Sequence, residues 1–314
     1  MKPRPRATLS FDLDTAADHL QGYGHGVAEP EEEDPVYRLA LPRILDSLDG
    51  AGLKATFFVI ARDAETQAER LQEVARRGHE IASHSWSHSQ PFVSGPEERL
   101  EAELTESRTA LESASGSEVV GFRAPGWDLR PPVLERLGQA GYEYDASVFP
   151  GPFLPLLRLA TWWLGTRSPA IFRMATFRHV FARRHFHLRK LSTGRTLVEF
   201  PLTLTPILGW PLYRTMESYL GASRLERCVC FAARLGRDLS FPGHGMDFLG
   251  IDEDGVDERL RRHPGMGSPL AERLEHWKQW MDTMAPRFRF ATFREHAREL
   301  ASPRPSPELS HGMA

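Results

Sequence analysis

Apolar residues recur along this chain in two alternating rhythms. Short β-prone runs come at "ATLSF" (7–11), "LKATFFVI" (53–60), "HEIAS" (79–83), "EVVGF" (118–122), "YEYDAS" (142–147), "TLVEFPLTL" (196–204), "DLSFPG" (238–243) and "FRFAT" (288–292). Between them the apolar positions fall three and four apart, the spacing of a helix with one buried face. Leu41, Ile44, Leu45 and Leu48 form one such stripe, stopped by Gly50 and Gly52. Leu100, Leu104, Ser107 and Leu111 form another, with Gly116 past its end. "TQAERLQEVARRG", "PPVLERLGQAG", "SRLERCVCFAARLG", "SPLAERLEHWKQWMDTM" and "FREHARELA" continue the series. Strand then helix, many times over, predicts a mostly parallel sheet, open or closed into a barrel.

In such folds the loops after the strands converge on one mouth, so strand ends are the place to look for chemistry. Asp12 and Asp14 come after the first run, and His84 and His88 in "HSWSH" after the third. Arg123 in "RAPGW" comes after the fourth, and His244 in "FPGHGMDF" after a late one. On a helical turn, His84 and His88 would share a face and reach one ion. With one carboxylate they form a donor set common for Zn2+ and other divalent ions. Asp12 and Asp14 then divide between ligand and general base for a metal-bound water. An arginine can hold such an aspartate ionised and oriented through a bidentate contact. A backbone N–H in the turn at Pro125 and Gly126 can approach a developing oxyanion. Gly243 and Gly245 flank His244 and leave it room for close approach, where it would protonate a leaving amine.

Taken in this order the residues resemble the polysaccharide deacetylase family, carbohydrate esterase family 4 with its chitooligosaccharide-deacetylase homology domain. The likeness is nearest the branch without a secretion signal. The family's signatures are an acidic pair, an "ATFFV" strand, a His-x3-His motif, an Arg-x-Pro motif and a late His. Here they stand as Asp12/Asp14, Ala55–Val59, His84/His88, Arg123/Pro125 and His244, over most of 7–145 and again over about 196–300. The resemblance implies an irregular (β/α) barrel that hydrolyses the amide of an N-acylated amino sugar. It implies Asp12 as base, Asp14, His84 and His88 as ligands of Zn2+ (or Co2+, Ni2+ or Fe2+), Arg123 as the group orienting Asp12, and His244 as acid. Pro125, Gly126 and Trp127 would line the substrate and oxyanion side. Leu13 separates the acids, and Gly126 stands where many members have an aromatic, so the oxyanion donor is open between Gly126 and Trp127. Asp145 in "YEYDAS" takes the structural place of the family's Asp-Trp motif.

Length and composition narrow the picture further. A chain of 314 residues, 41% hydrophobic and 26% charged, can bury a full core, and a net charge of −3 gives no reason to expect nucleic acid. We expect one barrel domain over 1–301, with an insertion at about 146–198 and a Pro/Ser-rich disordered tail at 302–314. "MKPRPRATLSFD" lacks an apolar core for a secretory signal, and no long apolar run could span a bilayer, so the cytoplasm is the expected compartment. Cys228 and Cys230, two apart on a helix, point away from each other and are not expected to pair. The 146–198 stretch holds nine Arg and Lys, no acid, and many aromatics. Such a composition suits peripheral contact with an anionic bilayer, and hence a polyprenyl-phosphate-linked amino sugar as substrate. Its other reading is cover for the barrel or a dimer interface. Two further functions stay in play: hydrolysis of a non-sugar C–N bond, as in allantoinase-like relatives, and non-catalytic carbohydrate or lipid binding on the same fold.

Overall fold

A computed structural model describes residues 3–26, 33–89, 92, 97–127, 129, 131–151, 182–207 and 209–302. Its centre is a curled sheet of nine strands: β1 (Arg6–Asp12), β2 (Ala55–Val59), β3 (Glu80–Ser83), β4 (Gly121–Phe122), β5 (Tyr144–Asp145), β6 (His187–Lys190), β7 (Thr196–Glu199), β8 (Leu239–His244) and β9 (Arg289–Phe290). The order is β6-β7-β5-β4-β3-β2-β1-β8, with β9 paired to the start of β1. Every pairing is parallel except β6 with β7. The irregular (β/α) barrel expected from the sequence is therefore present. Where β7 and β8 would meet, a short contact replaces a ladder: Ser240 N–H donates to Thr203 Oγ1 at 2.8 Å, and Thr203 N–H to the Ser240 carbonyl at 3.5 Å.

The strands are shorter than the apolar runs suggest. "EVVGF" yields only Gly121–Phe122, and "FRFAT" only Arg289–Phe290. A run of apolar residues reports burial, whereas a strand needs a partner at ladder distance, which the curl of the barrel denies to the ends. At Gly121 the next strand comes so close that a Cβ would lie 1.9 Å from the Tyr144 ring.

Helices pack outside the sheet over a continuous apolar core that includes Phe11, Phe57, Leu45 and Trp277. A second cluster fills the barrel interior, with Phe293 opening the helix Phe293–Ala301 and packing 4.7 Å from Phe200 and 6.0 Å from Phe58, ring to ring. Each such fully buried ring contributes about 1.5–3 kcal/mol relative to exposure. Cys228 and Cys230 are free thiols on the helix Ala222–Arg234, as expected. Among the described residues no helix is long and apolar enough to cross a membrane. Of the expected insertion, 152–181 lie outside the described residues, as do 303–314 of the expected tail.

Candidate active site and metal centre

Parallel register sets the level of the site. Asp12 is paired with Phe58 on one side and with His244 on the other, Val59 with Ser83, Ser83 with Phe122, and Phe122 with Asp145. The residues that leave these strands, Asp14, His84 and Arg123, emerge around one rim. Residues far apart in the chain are thus neighbours because a parallel ladder aligns strand ends.

Asp14 Oδ1 lies 3.4 Å from His84 Nε2 and 3.5 Å from His88 Nε2. One ligand atom from each of the three residues falls within 4.8 Å of the others. His84 Nδ1 sits 2.7 Å from the Arg123 carbonyl, which fixes a proton on Nδ1 and leaves the Nε2 lone pair facing the cluster. Burial lowers the His84 pKa, only partly offset by Asp12 and Asp14, so the ring is neutral. Asp14 Oδ1 is buried without a hydrogen-bond donor. Lone pairs aimed at one another in a buried space repel unless a cation joins them. This donor set fits a divalent ion such as Zn2+.

His84 and His88 do not share a helical turn. They leave β3 in a loop in which Ser85 (φ 70°) and His88 (φ 53°) adopt left-handed backbone. With Trp127 (φ 59°), which packs on Arg123, these are the non-glycine residues of positive φ among the described residues. The serines of "SHSWSHS" (83–89) explain how the loop survives. His88 N–H donates to Ser85 Oγ at 3.1 Å, and Ser85 N–H to Ser83 Oγ at 3.2 Å. Buried Glu103 accepts from the N–H groups of Trp86 (2.8 Å) and Ser87 (3.0 Å).

Asp12 is 2% exposed and is held by Arg123, whose Nη1 donates to Oδ1. The same guanidinium reaches Ser10 Oγ at 2.9 Å and the Ala146 carbonyl at 3.3 Å, and lies 3.9 Å from the Phe58 ring centre and 4.7 Å from that of Trp127. Burial opposes ionisation of Asp12, yet its pKa is held below the ordinary value, chiefly by Arg123 through its charge and its hydrogen bond. Asp12 Oδ2, the oxygen not taken by Arg123, is 4.0 Å from His84 Nε2.

Asp145 sits lower and acts at a distance. Its Oδ1 accepts from Ser147 N–H (3.0 Å) and Ser147 Oγ, and Ser147 Oγ accepts from Ala124 N–H at 2.8 Å. The peptide between Arg123 and Ala124 is therefore clamped at both ends, and its carbonyl is the one that orients His84. Burial, then Glu199 across the ladder, pushes the Asp145 pKa up to about 8.

In the Arg-x-Pro turn, Gly126 (φ 61°) and Trp127 come after buried Pro125, and Trp127 N–H already donates to the Ala124 carbonyl at 3.0 Å. His244 ends β8 with a quarter of its side chain exposed. The room expected beside it at Gly245 is taken by the chain itself, since a Cβ there would meet Val36 at 2.4 Å.

Several residues around the site carried no strand-end signal. Asp18 approaches His88 Nδ1 at 3.8 Å while bonding Arg62 and closing a capping box with Thr15. The T-x-x-D spacing in "DTAAD" was its readable trace. Behind His244 stand His19, ring to ring at 6.0 Å, and His263, 5.1 Å from His19. Burial lowers both pKa values, that of His263 to about 4, so His244 has neutral neighbours at pH 7.

A family model described as polysaccharide deacetylase matches residues 34–144. A peptidoglycan deacetylase of Helicobacter pylori is 28% identical over 147 residues, 46% of this chain and 50% of that protein, so this chain's match spans about half that relative's length. A peptidoglycan deacetylase-like protein of Gibberella zeae is 25% identical over 290 residues, 84% of this chain and 75% of its own. A Mycobacterium smegmatis structure described as a polysaccharide deacetylase superposes with a TM-score of 0.61 at 19% identity, covering 98% of this chain and 96% of that one, which speaks to the fold alone.

Proposed function

The chain belongs to the polysaccharide deacetylase family, and we propose that it is a metal-dependent hydrolase removing an acetyl or formyl group from the nitrogen of an amino sugar. The observation that carries this is the convergence of Asp14, His84 and His88 beside an Arg-held Asp12. A divalent ion held by those three residues would supply an acidified water and polarise the substrate carbonyl. Zn2+ suits a two-imidazole, one-carboxylate set best. Asp12 is the base: Arg123 keeps Oδ1 engaged and the carboxylate ionised, so Oδ2 is the atom that takes the proton of the attacking water. His244, level with Asp12 on the neighbouring strand and part-exposed, donates a proton to the departing amine. Because Trp127 N–H is engaged within its turn, we assign the oxyanion donor to Gly126 N–H, with Pro125 and the Trp127 ring shaping that wall. Asp145 supports the site through Ser147. The cationic, aromatic composition of 146–198 supports a lipid-linked amino sugar, such as a polyprenyl-phosphate glycoconjugate, met at a membrane surface.

The test compares wild-type protein with Asp14→Ala and His84→Ala for bound metal. It also compares acetate and formate release from N-acylated amino-sugar oligomers and from a polyprenyl-phosphate-linked amino sugar. Wild type should bind metal and release acid, and each variant should lose both. Metal content unchanged by both substitutions overturns the ligand set; ring opening of a cyclic amide in place of acid release overturns the substrate class.

A further inference from the structure

From Ala146 through Tyr213 the chain contains a single acidic residue, Glu199. It is 1% exposed and lies 2.7 Å from both His187 Nε2 and Arg189 Nε. Among its described residues this stretch therefore offers solvent cations and no carboxylate. Within it, residues 200–213, "FPLTLTPILGWPLY", carry no Asp, Glu, Lys or Arg, and the described residues among them, 200–207 and 209–213, form a hairpin directly after β7.

The hairpin is firmly rooted. Thr205 N–H donates to the Trp210 carbonyl at 2.6 Å, Trp210 N–H to Thr205 Oγ1 at 2.9 Å, and Leu212 N–H to the Thr203 carbonyl at 2.8 Å. Thr203 in turn ties it to β8. Yet its tip is not packed: Ile207 is 80% exposed and Trp210 40%. A rigid loop that holds Ile and Trp in water gains only when another phase covers them.

Its position relates this tip to the site. β7 runs parallel to β5, so the hairpin leaves the sheet at the same end as Asp12 and Arg123. At the hairpin's base Leu202 and Tyr213 pack with Trp127 and Phe149, and Trp127 lies against Arg123. The antiparallel pairing of His187 with Glu199 brings exposed Arg183 and Arg184, just before β6, to that end too. A protein partner would have to match Arg183, Arg184 and the bare apolar tip with a shaped acidic and apolar surface. An anionic bilayer meets them without shape, and takes Ile and Trp into its headgroup layer.

We propose that this hairpin seats the mouth of the barrel on an anionic lipid bilayer, with Ile207 and Trp210 in the headgroup layer and Arg183 and Arg184 against lipid phosphates. This deepens the proposed function by naming the surface at which the site meets its substrate, and rests on that function only for what the site then does.

The experiment is co-sedimentation with phosphatidylcholine vesicles, with and without phosphatidylglycerol. Wild type should bind the mixed vesicles, release in about 0.5 M salt as charges are screened, and ignore phosphatidylcholine alone. Ile207→Asp with Trp210→Asp should weaken binding by about tenfold or more, and so should Arg183→Glu with Arg184→Glu. Should these variants fold poorly, quenching of wild-type fluorescence by brominated lipid, reduced in Trp210→Phe, reads the same contact. Equal affinity for both vesicle types, no binding, or wild-type binding by the folded Asp variants overturns the proposal. Acid release from a soluble oligomer, measured in parallel, separates the two readings. Its absence with vesicle binding intact overturns only the hydrolase, and its presence without vesicle binding overturns only the membrane contact.

Discussion

Replacing Ser147 with alanine isolates one hydrogen-bonded path into the candidate metal centre. Ser147 Oγ accepts from Ala124 N–H at 2.8 Å and donates to Asp145, and the same peptide presents the carbonyl 2.7 Å from His84 Nδ1. Alanine leaves a buried N–H without its acceptor, which costs about 1–3 kcal/mol. A stability loss of that size would accompany any buried serine. The discriminating quantity is metal affinity. The freed peptide can tilt, and loss of the partner that orients a ligating imidazole weakens metal binding about 10–100-fold. Competition for Zn2+ against a chromogenic chelator gives the dissociation constant, and thermal melts with and without metal give stability. Ser147→Thr, which keeps the hydroxyl, should recover most of the affinity. If Ser147→Ala melts earlier but holds Zn2+ within about twofold of wild type, Ser147 does not position the His84 ring.

Other outcomes rest on the same geometry. Arg123→Ala leaves Asp12 as a buried charge with no counter-ion and should destabilise the chain by about 3–5 kcal/mol in urea unfolding. Arg123→Lys should restore stability in part but not acid release, because a single ammonium cannot reproduce the fork that bonds Asp12 and Ser10 together. Gly121→Ala drives a methyl into the Tyr144 ring, whose hydroxyl is tied to Glu80 at 2.9 Å, and should lower the melting temperature as overpacking of about 1–3 kcal/mol does. Asp145, with its pKa raised to about 8, keeps a proton in the folded chain that the unfolded chain gives up near 4. The folded state thus binds more protons between those values, and stability falls as pH rises through that window. Asp145→Asn should flatten the fall, read as urea midpoints at about pH 5 and about pH 8.

Much of the candidate site is legible in the sequence. Asp12, His84, Arg123 and His244 each stand where an apolar run ends, and register does bring those strand ends level. The closing of the loops was not legible. The spacing of His84 and His88 pointed to a helical turn, but the rings converge through positive-φ backbone held by Ser85 and by Glu103, a residue on another element. Glycine beside His244 looked like space for a ligand and proved to be space for Val36.

The sequence alone determined the alternation of strand and helix, and with it a mostly parallel sheet whose strand ends share one mouth, while the closed barrel was implied by the family resemblance. The reason is that apolar periodicity is a local property and parallel strands all end on the same side. Only the tertiary structure decided which lone pairs meet, which N–H is already taken, and that Asp145 reaches His84 through Ser147 and one peptide. Those are contacts between residues brought together by the fold, at distances where a few tenths of an ångström separate a bond from none, and no one-dimensional spacing encodes them.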